Sequence, residues 1–280
     1  MTGQLAAIGA ALSWTLASGL WRSVSGAGSA LTLNGLKNGL ACLLFLPMLL
    51  TIPWLDNKDA VIGLLLSGAI GIAAGDSFYL AALRRLGTRR TLTVEALGPV
   101  LASIGSVVMM GEMLSSRAWI GAALVTVAVM LVAGSGEANS RDSAGVLLAL
   151  TAVICGLTGA FLARQVLISS GLSPIQTAAI RLLGGWLALL PVLGRSGGSC
   201  WPMPATGRIR ILVATALGTN LGIALQQLVF QQMAVGPGVT LMSTAPVMAL
   251  CIGHWEGDPI QARGVVAAGL AVAGVACISL

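Results

Sequence analysis

Ten stretches of this chain are apolar enough to sit in a lipid bilayer, and that property limits what it can fold into more than any other. They fall at residues 3–21, 31–51, 60–83, 92–111, 117–134, 144–168, 173–193, 209–233, 238–255 and 262–280. Crossing ~30 Å of hydrocarbon as helix takes about 20 residues. Most of the runs reach that length, and the run at 238–255 sits near the lower limit. Hydrophobic residues make up 56% of the chain and charged residues 9%, with a mean hydropathy of +0.94. No soluble fold needs so much apolar surface. The expected class is an all-α membrane protein with ten transmembrane helices.

The runs divide into five and five because the chain is written twice. Lys37 precedes Pro47 by ten residues, and Arg181 precedes Pro191 by the same interval. A shift of 144 residues carries one pair onto the other and Glu112 onto Glu256, while a shift of 142 carries Gly3 onto Gly145 and Arg22 onto Arg164. The expected repeats are residues 1–136 and 143–280, joined by a short polar connector and integrated into one transport domain. Five spans per copy place the second copy upside down relative to the first. The two should therefore be related by a pseudo-two-fold axis in the membrane plane, with a binding site where they meet. The 37 glycines supply small-residue spacings such as Gly35/Gly39 and Gly71/Gly75, which let helices approach closely in lipid.

Several classes are disfavoured. The net charge of +6 comes from basic residues spread singly over short loops, without a basic helix or aromatic-basic platform, so no nucleic-acid partner is expected. Five cysteines form no CxxC and there is a single histidine, His254, so neither a disulfide framework, a metal site nor a cofactor is expected. An intramembrane enzyme would need a nucleophile–base pair or a metal cluster inside the spans. The N-terminus has no basic n-region and its apolar run continues past Trp14, which reads as a retained first span. Loops after odd-numbered spans carry ten arginines. The other side carries only Lys58, Arg117 and Arg164, a bias that places the arginine-rich face in the cytoplasm.

An ionisable group inside a span costs at least ~2.5–3.5 kcal/mol at the helix centre, so it needs a partner or a wet cavity. Lys37, Asp76, Glu95 and Arg181 are such groups. Asp76 and Glu95 are proton-coupling candidates, or else they neutralise the two cations. Lys37 and Arg181 occupy matching repeat positions. They are either cationic contacts for a carboxylate or phosphate on a solute, or side chains snorkelling to the interface. Asn220, Gln227 and Gln231 can share one face of the eighth span at spacings of seven and four, as a solute-binding stripe or as glue between helices. Trp14, Tyr79 and Trp186 could line a cavity, whereas the tryptophans near span ends read as interface anchors. Pro99 and Pro246, inside the fourth and ninth spans, should kink or hinge them. Glu112 and Glu256 close those spans and should fix loop geometry.

The run Tyr79-Leu80-Ala81-Ala82-Leu83-Arg84-Arg85-Leu86-Gly87, followed by Pro99 and Gly111-Glu112, resembles the motif of EamA-type repeats in the drug/metabolite transporter superfamily. A weaker second copy reads Gln231-Gln232-Met233-Ala234-Val235-Gly236, Pro246, then Trp255-Glu256. The resemblance covers nearly the whole chain; its motifs are specific for fold and poor for substrate. It implies an alternating-access carrier whose central cavity is formed by both halves and gated by the fourth and ninth spans near their prolines. Relatives of this kind move amino acids, other metabolites, nucleotide sugars or drugs, and bacterial ones are often exporters. The chain departs from the pattern in its short ninth span and in Asp76 and Glu95, where uncharged residues are common. Cytoplasmic termini are usual in the family, opposite to the loop-charge count, so orientation is left open.

These readings converge on a secondary transporter of the bacterial inner membrane. It would carry small polar organic solutes such as amino acids by alternating access, as an exporter with protons as the coupling ion, and act as monomer or homodimer. A multidrug or nucleotide-sugar carrier of the same fold is the alternative. A non-transporting subunit would need a large soluble domain or long tail, and neither is visible in the sequence.

Overall fold

The computed structural model describes residues 1–22, 30–133, 142–195, 205–249 and 262–279, and every regular element among them is helical. The chain opens with α1 (Thr2–Arg22), α2 (Ala30–Leu44) and the short α3 (Leu46–Leu49). Pro47 lies in the first turn of α3, where a missing N–H leaves nothing unpaired. Next come α4 (Lys58–Gly68), a π-helical turn at Ala69–Ala74, and α5 (Gly75–Glu95). Gly87 interrupts α5 at φ 73°, ψ 168°, a conformation open to glycine, and there the chain passes from one candidate span into the next.

α6 (Gly98–Met110) ends on Gly111 in the left-handed region at φ 64°, with the Glu112 amide donating to the Ser106 carbonyl at 3.0 Å. α7 spans Ser116–Ala133. α8 (Ser143–Ser169) starts on Asp142, whose carboxylate accepts from the Gly145 amide at 3.0 Å. α9 runs Pro174–Arg195. α10 (Ala205–Ala214), a second π-helical turn at Thr215–Leu221, and α11 (Gly222–Gln232) follow, then α12 (Val235–Met242) and finally α13 (Ala262–Ser279).

Six helices among the described residues are long and apolar enough to cross a membrane: Lys58–Gly87, Arg90–Met110, Ser116–Ala133, Ser143–Ser169, Thr206–Gln232 and Ala262–Ser279. Their outward faces carry large exposed apolar side chains, including Ile62, Val108, Leu147, Ile154 and Val272. On a soluble monomer such faces would be a liability, whereas lipid solvates them without cost.

Small residues set the helix contacts. α7 and α13 cross at Gly121 and Gly274, where a Cβ on Gly121 would stand 2.8 Å from the Gly274 carbonyl oxygen. α6 crosses α12 where Gly236 meets the backbone of Ser103, and the Gly236 amide donates to Ser106 Oγ at 2.8 Å. α5 packs along α8, α1 along α11, and α9 against both α2 and α4. The largest apolar cluster gathers Ala7 and Ala10 of α1, Phe161 of α8 and Phe230 of α11, so segments distant in sequence share one core.

Two expectations are revised. Pro99 and Pro246 do not sit inside continuous helices. The chain turns at Ala96–Leu97 and again at Ser243–Thr244, and each proline falls in the first turn of the helix that restarts, where its ring costs no hydrogen bond. Arg164, grouped above with loop and end cations, lies within α8 with its side chain 14% exposed. Glu256 and the end of the ninth run lie outside the described residues.

Candidate functional site: an ion pair and a buried arginine between spans

The Lys37–Asp76 pair forms the centre of the site. Lys37 Nζ on α2 donates to Asp76 Oδ2 at 2.8 Å, and the two side chains are 22% and 39% exposed. Asp76 is the second residue of α5, immediately after the π-helical turn. A π turn inserts an extra residue into the helix and recurs at functional sites. Here it aims the carboxylate of one span at the ammonium of another.

Arg181 of α9 is 3% exposed and lies within electrostatic reach of Asp76. Its Nη1 donates to Gln226 Oε1 at 3.2 Å, and Gln227 Nε2 donates to the same oxygen at 3.5 Å. The Arg181 Nε is buried without a partner, as is Gln227 Oε1. Glycine makes this burial geometrically feasible. A Cβ on Gly68 would run into the Arg181 carbonyl, and one on Gly71 would lie 3.4 Å from Arg181 Nη2. α9 therefore rests directly on the backbone of the span that presents Asp76.

The other sequence candidates divide into three groups. Glu95 and Tyr79, both half-buried on α5, lie within electrostatic reach of Asp76 and of each other. Asn220, in the second π-helical turn, donates from Nδ2 to the Ala41 carbonyl of α2 at 2.9 Å, which ties α2 to the eighth run one turn beyond Lys37. Gln227 is fully buried beside Gln226, whereas Gln231 is exposed at the end of α11 and does not join the cluster. Trp186 and Trp14 are half-buried and pack edge-on against glycine. A Cβ on Gly39 would be 2.8 Å from Trp186 Nε1, and Trp14 lies against Gly222 in the same way. Pro99 is buried and Pro246 half-buried at the two helix restarts.

Two polar residues with well-defined partners were not picked out as site residues from the sequence, one inside this cluster and one outside it. Gln226 is the amide that engages Arg181, although only its neighbours fell on the proposed helical face. Arg164 pairs its Nε with Glu112 Oε1 at 2.7 Å and also donates from Nη1 to the Phe230 carbonyl. Its position inside the apolar run 144–168 was the signal. Among the described residues no three His, Cys, Asp or Glu side chains come together in a metal-binding arrangement.

Charged groups buried among apolar helices from distant parts of the chain mark a candidate solute path in a membrane protein, and the family comparison points the same way. The model of the EamA-like transporter family matches residues 1–134 and again 143–280. The chain belongs to that family. A protein of Archaeoglobus fulgidus described as an uncharacterized transporter is 32% identical over 151 residues. That match spans 53% of this chain and 53% of its relative, so the chain covers about half the length of the curated protein. A solved crystal structure superposes with a TM-score of 0.81 at 18% identity, covering 98% of this chain and 95% of the other, and shows the same fold. This EamA-like chain is thus a multi-pass membrane protein of a transporter family.

Proposed function

We propose that this EamA-like protein carries small polar organic solutes, such as amino acids or related metabolites, by alternating access. The observation that carries the reading is the Lys37–Asp76 pair beside the buried Arg181. Two cations and a carboxylate from three spans converge there, and Glu95 stands within reach of the carboxylate. A solute with charged or hydrogen-bonding groups could exchange partners with these side chains, while a purely apolar one would leave them unsatisfied. Asp76 takes the role of proton carrier with Glu95 as second carboxylate, and the direction of transport is export. Arg181, Lys37 and the amides at 226 and 227 hold the solute.

The architecture proposed with it is ten spans in two oppositely inserted repeats, 1–136 and 143–280, in a bacterial inner membrane. Two features support it. The family model matches twice, and the packing of the third run on the sixth has a mirror in the packing of the eighth run on the first. The turns before Pro99 and Pro246 are the proposed hinges of the gate.

Reconstitution in proteoliposomes tests the function. Uphill solute movement should follow an imposed pH gradient, and Asp76→Asn should abolish accumulation while sparing solute exchange. Unchanged accumulation in that variant would remove Asp76 from coupling.

A further inference from the structure

The pair between Glu112 and Arg164 has no part in the site above, yet it is more tightly enclosed than the Lys37–Asp76 and Arg85–Asp142 pairs. Its side chains are 15% and 14% exposed, against 22% and 39% for Lys37–Asp76 and 53% and 23% for Arg85–Asp142. Its members come from the two different segments matched by the family model. Glu112 follows the glycine that ends α6, and its amide is anchored to the Ser106 carbonyl, so its position is set by the helix terminus rather than by a free loop. Arg164 lies in the last two turns of α8. The guanidinium does a second job by donating to the Phe230 carbonyl near the end of α11. One side chain thus ties together three helix ends, those of α6, α8 and α11.

These ends share one face of the molecule. The contacts themselves bring the three ends together, and in the ten-span arrangement proposed above each closes an even-numbered run, the fourth, sixth and eighth, on the face opposite the arginine-rich loops. The cluster of Lys37, Asp76 and Arg181 is carried by other helices, α2, α5 and α9. The planar guanidinium suits the arrangement because it can serve a carboxylate along one edge and a carbonyl along another at once.

We propose that Glu112, Arg164 and the Phe230 carbonyl form a latch that holds the two halves together on the face opposite the arginine-rich loops, and that the latch must part for the solute path to open there. This rests on the carrier reading above but is tested separately from it. Glu112 is held between one partnered and one unpartnered oxygen, since Oε2 is buried with no hydrogen bond. Removal of Arg164 would leave the whole carboxylate enclosed without a counter-charge, so the closed state depends on the arginine. The latch also accounts for a charged residue one turn and more inside an apolar run, where a purely structural helix would carry an aliphatic side chain.

The experiment measures distances with paired spin labels in the full-length protein reconstituted in lipid, with its cysteines replaced. One label goes at Met113, which is 97% exposed beside Glu112, and one at Ser169, exposed at the end of α8. The parent protein should show a dominant short component. In Glu112→Gln the ratio of long to short component should rise about tenfold, the scale of losing one charge-assisted contact. Arg164→Lys, which keeps the charge but cannot serve both acceptors, should fall between the two. A label pair on the opposite face, at Arg85 and Ala144, should not report the same opening. Distance distributions in Glu112→Gln and Arg164→Lys that match the parent, in folded and monodisperse protein, would overturn the latch. Loosened distances without flux of any solute would leave the latch standing and defeat the carrier reading. Flux with unchanged distances would do the reverse.

Discussion

At the scale of single residues, the question for each charged side chain is who compensates it. Lys37 and Asp76 compensate each other, but Asp76 is more than a third exposed, so solvent shares the work and the pair's own contribution is modest. Lys37→Met should lower stability by about 1 kcal/mol. Lys37→Met with Asp76→Asn should cost less than the sum of the singles, a coupling that a double-mutant cycle of thermal midpoints will show. Additivity would mean that the 2.8 Å contact is incidental. Outside the membrane, the Arg85 side chain bonded to Asp142, helped by the Gly145 amide, holds that carboxyl below its usual value of 3.8. A depressed carboxyl stabilises the fold above its unfolded value and loses that effect as pH falls through the folded one. The midpoint difference between the parent and Asp142→Asn should therefore be present at neutral pH and fade in acid below the ordinary aspartate range. A difference that persists there would assign the effect to capping geometry instead of charge. The ionisable residues were legible in the sequence because lipid makes each one expensive. Gln226 was not, because a neutral amide among four glutamines carries no such mark.

At the scale of helices, α periodicity does not run unbroken through the eighth run. The π-helical turn at Thr215–Leu221 adds a residue to the ladder and shifts the phase of α11 by about 100°. The shift moves Asn220 out of register with α11, whereas Gln227 and Gln231 still share a face; Gln231 ends at the surface because α11 stops one residue later, and Gln226, beside that face, reaches Arg181. Pro99 and Pro246 each sit just past a break in their run. Pro99 marks a helix start and so should be nearly neutral for stability. Pro99→Ala is expected within about 1 kcal/mol of the parent. With an N–H restored and the restriction on Gly98 lifted, the helix can continue across Ala96–Leu97, and solute flux should slow with binding unchanged. Thermal-shift binding and proteoliposome flux, measured side by side, check that separation. Gly68→Ala should behave oppositely: its Cβ meets the Arg181 carbonyl, and destabilisation of about 3 kcal/mol or more is expected in a denaturation series.

At the scale of the whole molecule, the membrane class was readable from run lengths, because bilayer thickness fixes them, the duplication from the repeated spacings, and the family from the resemblance of Tyr79–Gly87, Pro99 and Gly111-Glu112 to the EamA motif. Which helices meet was not readable, since glycine and alanine pack in lipid without a sequence signature as plain as a heptad. Ligands that engage the cluster of Lys37, Asp76 and Arg181 should raise the melting temperature according to their affinity. A thermal-shift screen across amino acids, nucleotides and cationic drugs should therefore separate solute classes. A hit should shift the parent and fail to shift Arg181→Ala. A shift retained in that variant would place the ligand elsewhere.

The contact between Gly68 and the backbone of Arg181 has one more consequence. Two helices that touch main chain to main chain have no side-chain cushion through which to slip, so α4 and α9 must travel as one body. The flexing in a transport cycle then falls to other joints. Among the described residues the turns at Ala96–Leu97 and Ser243–Thr244, which interrupt the helical ladder, offer such joints.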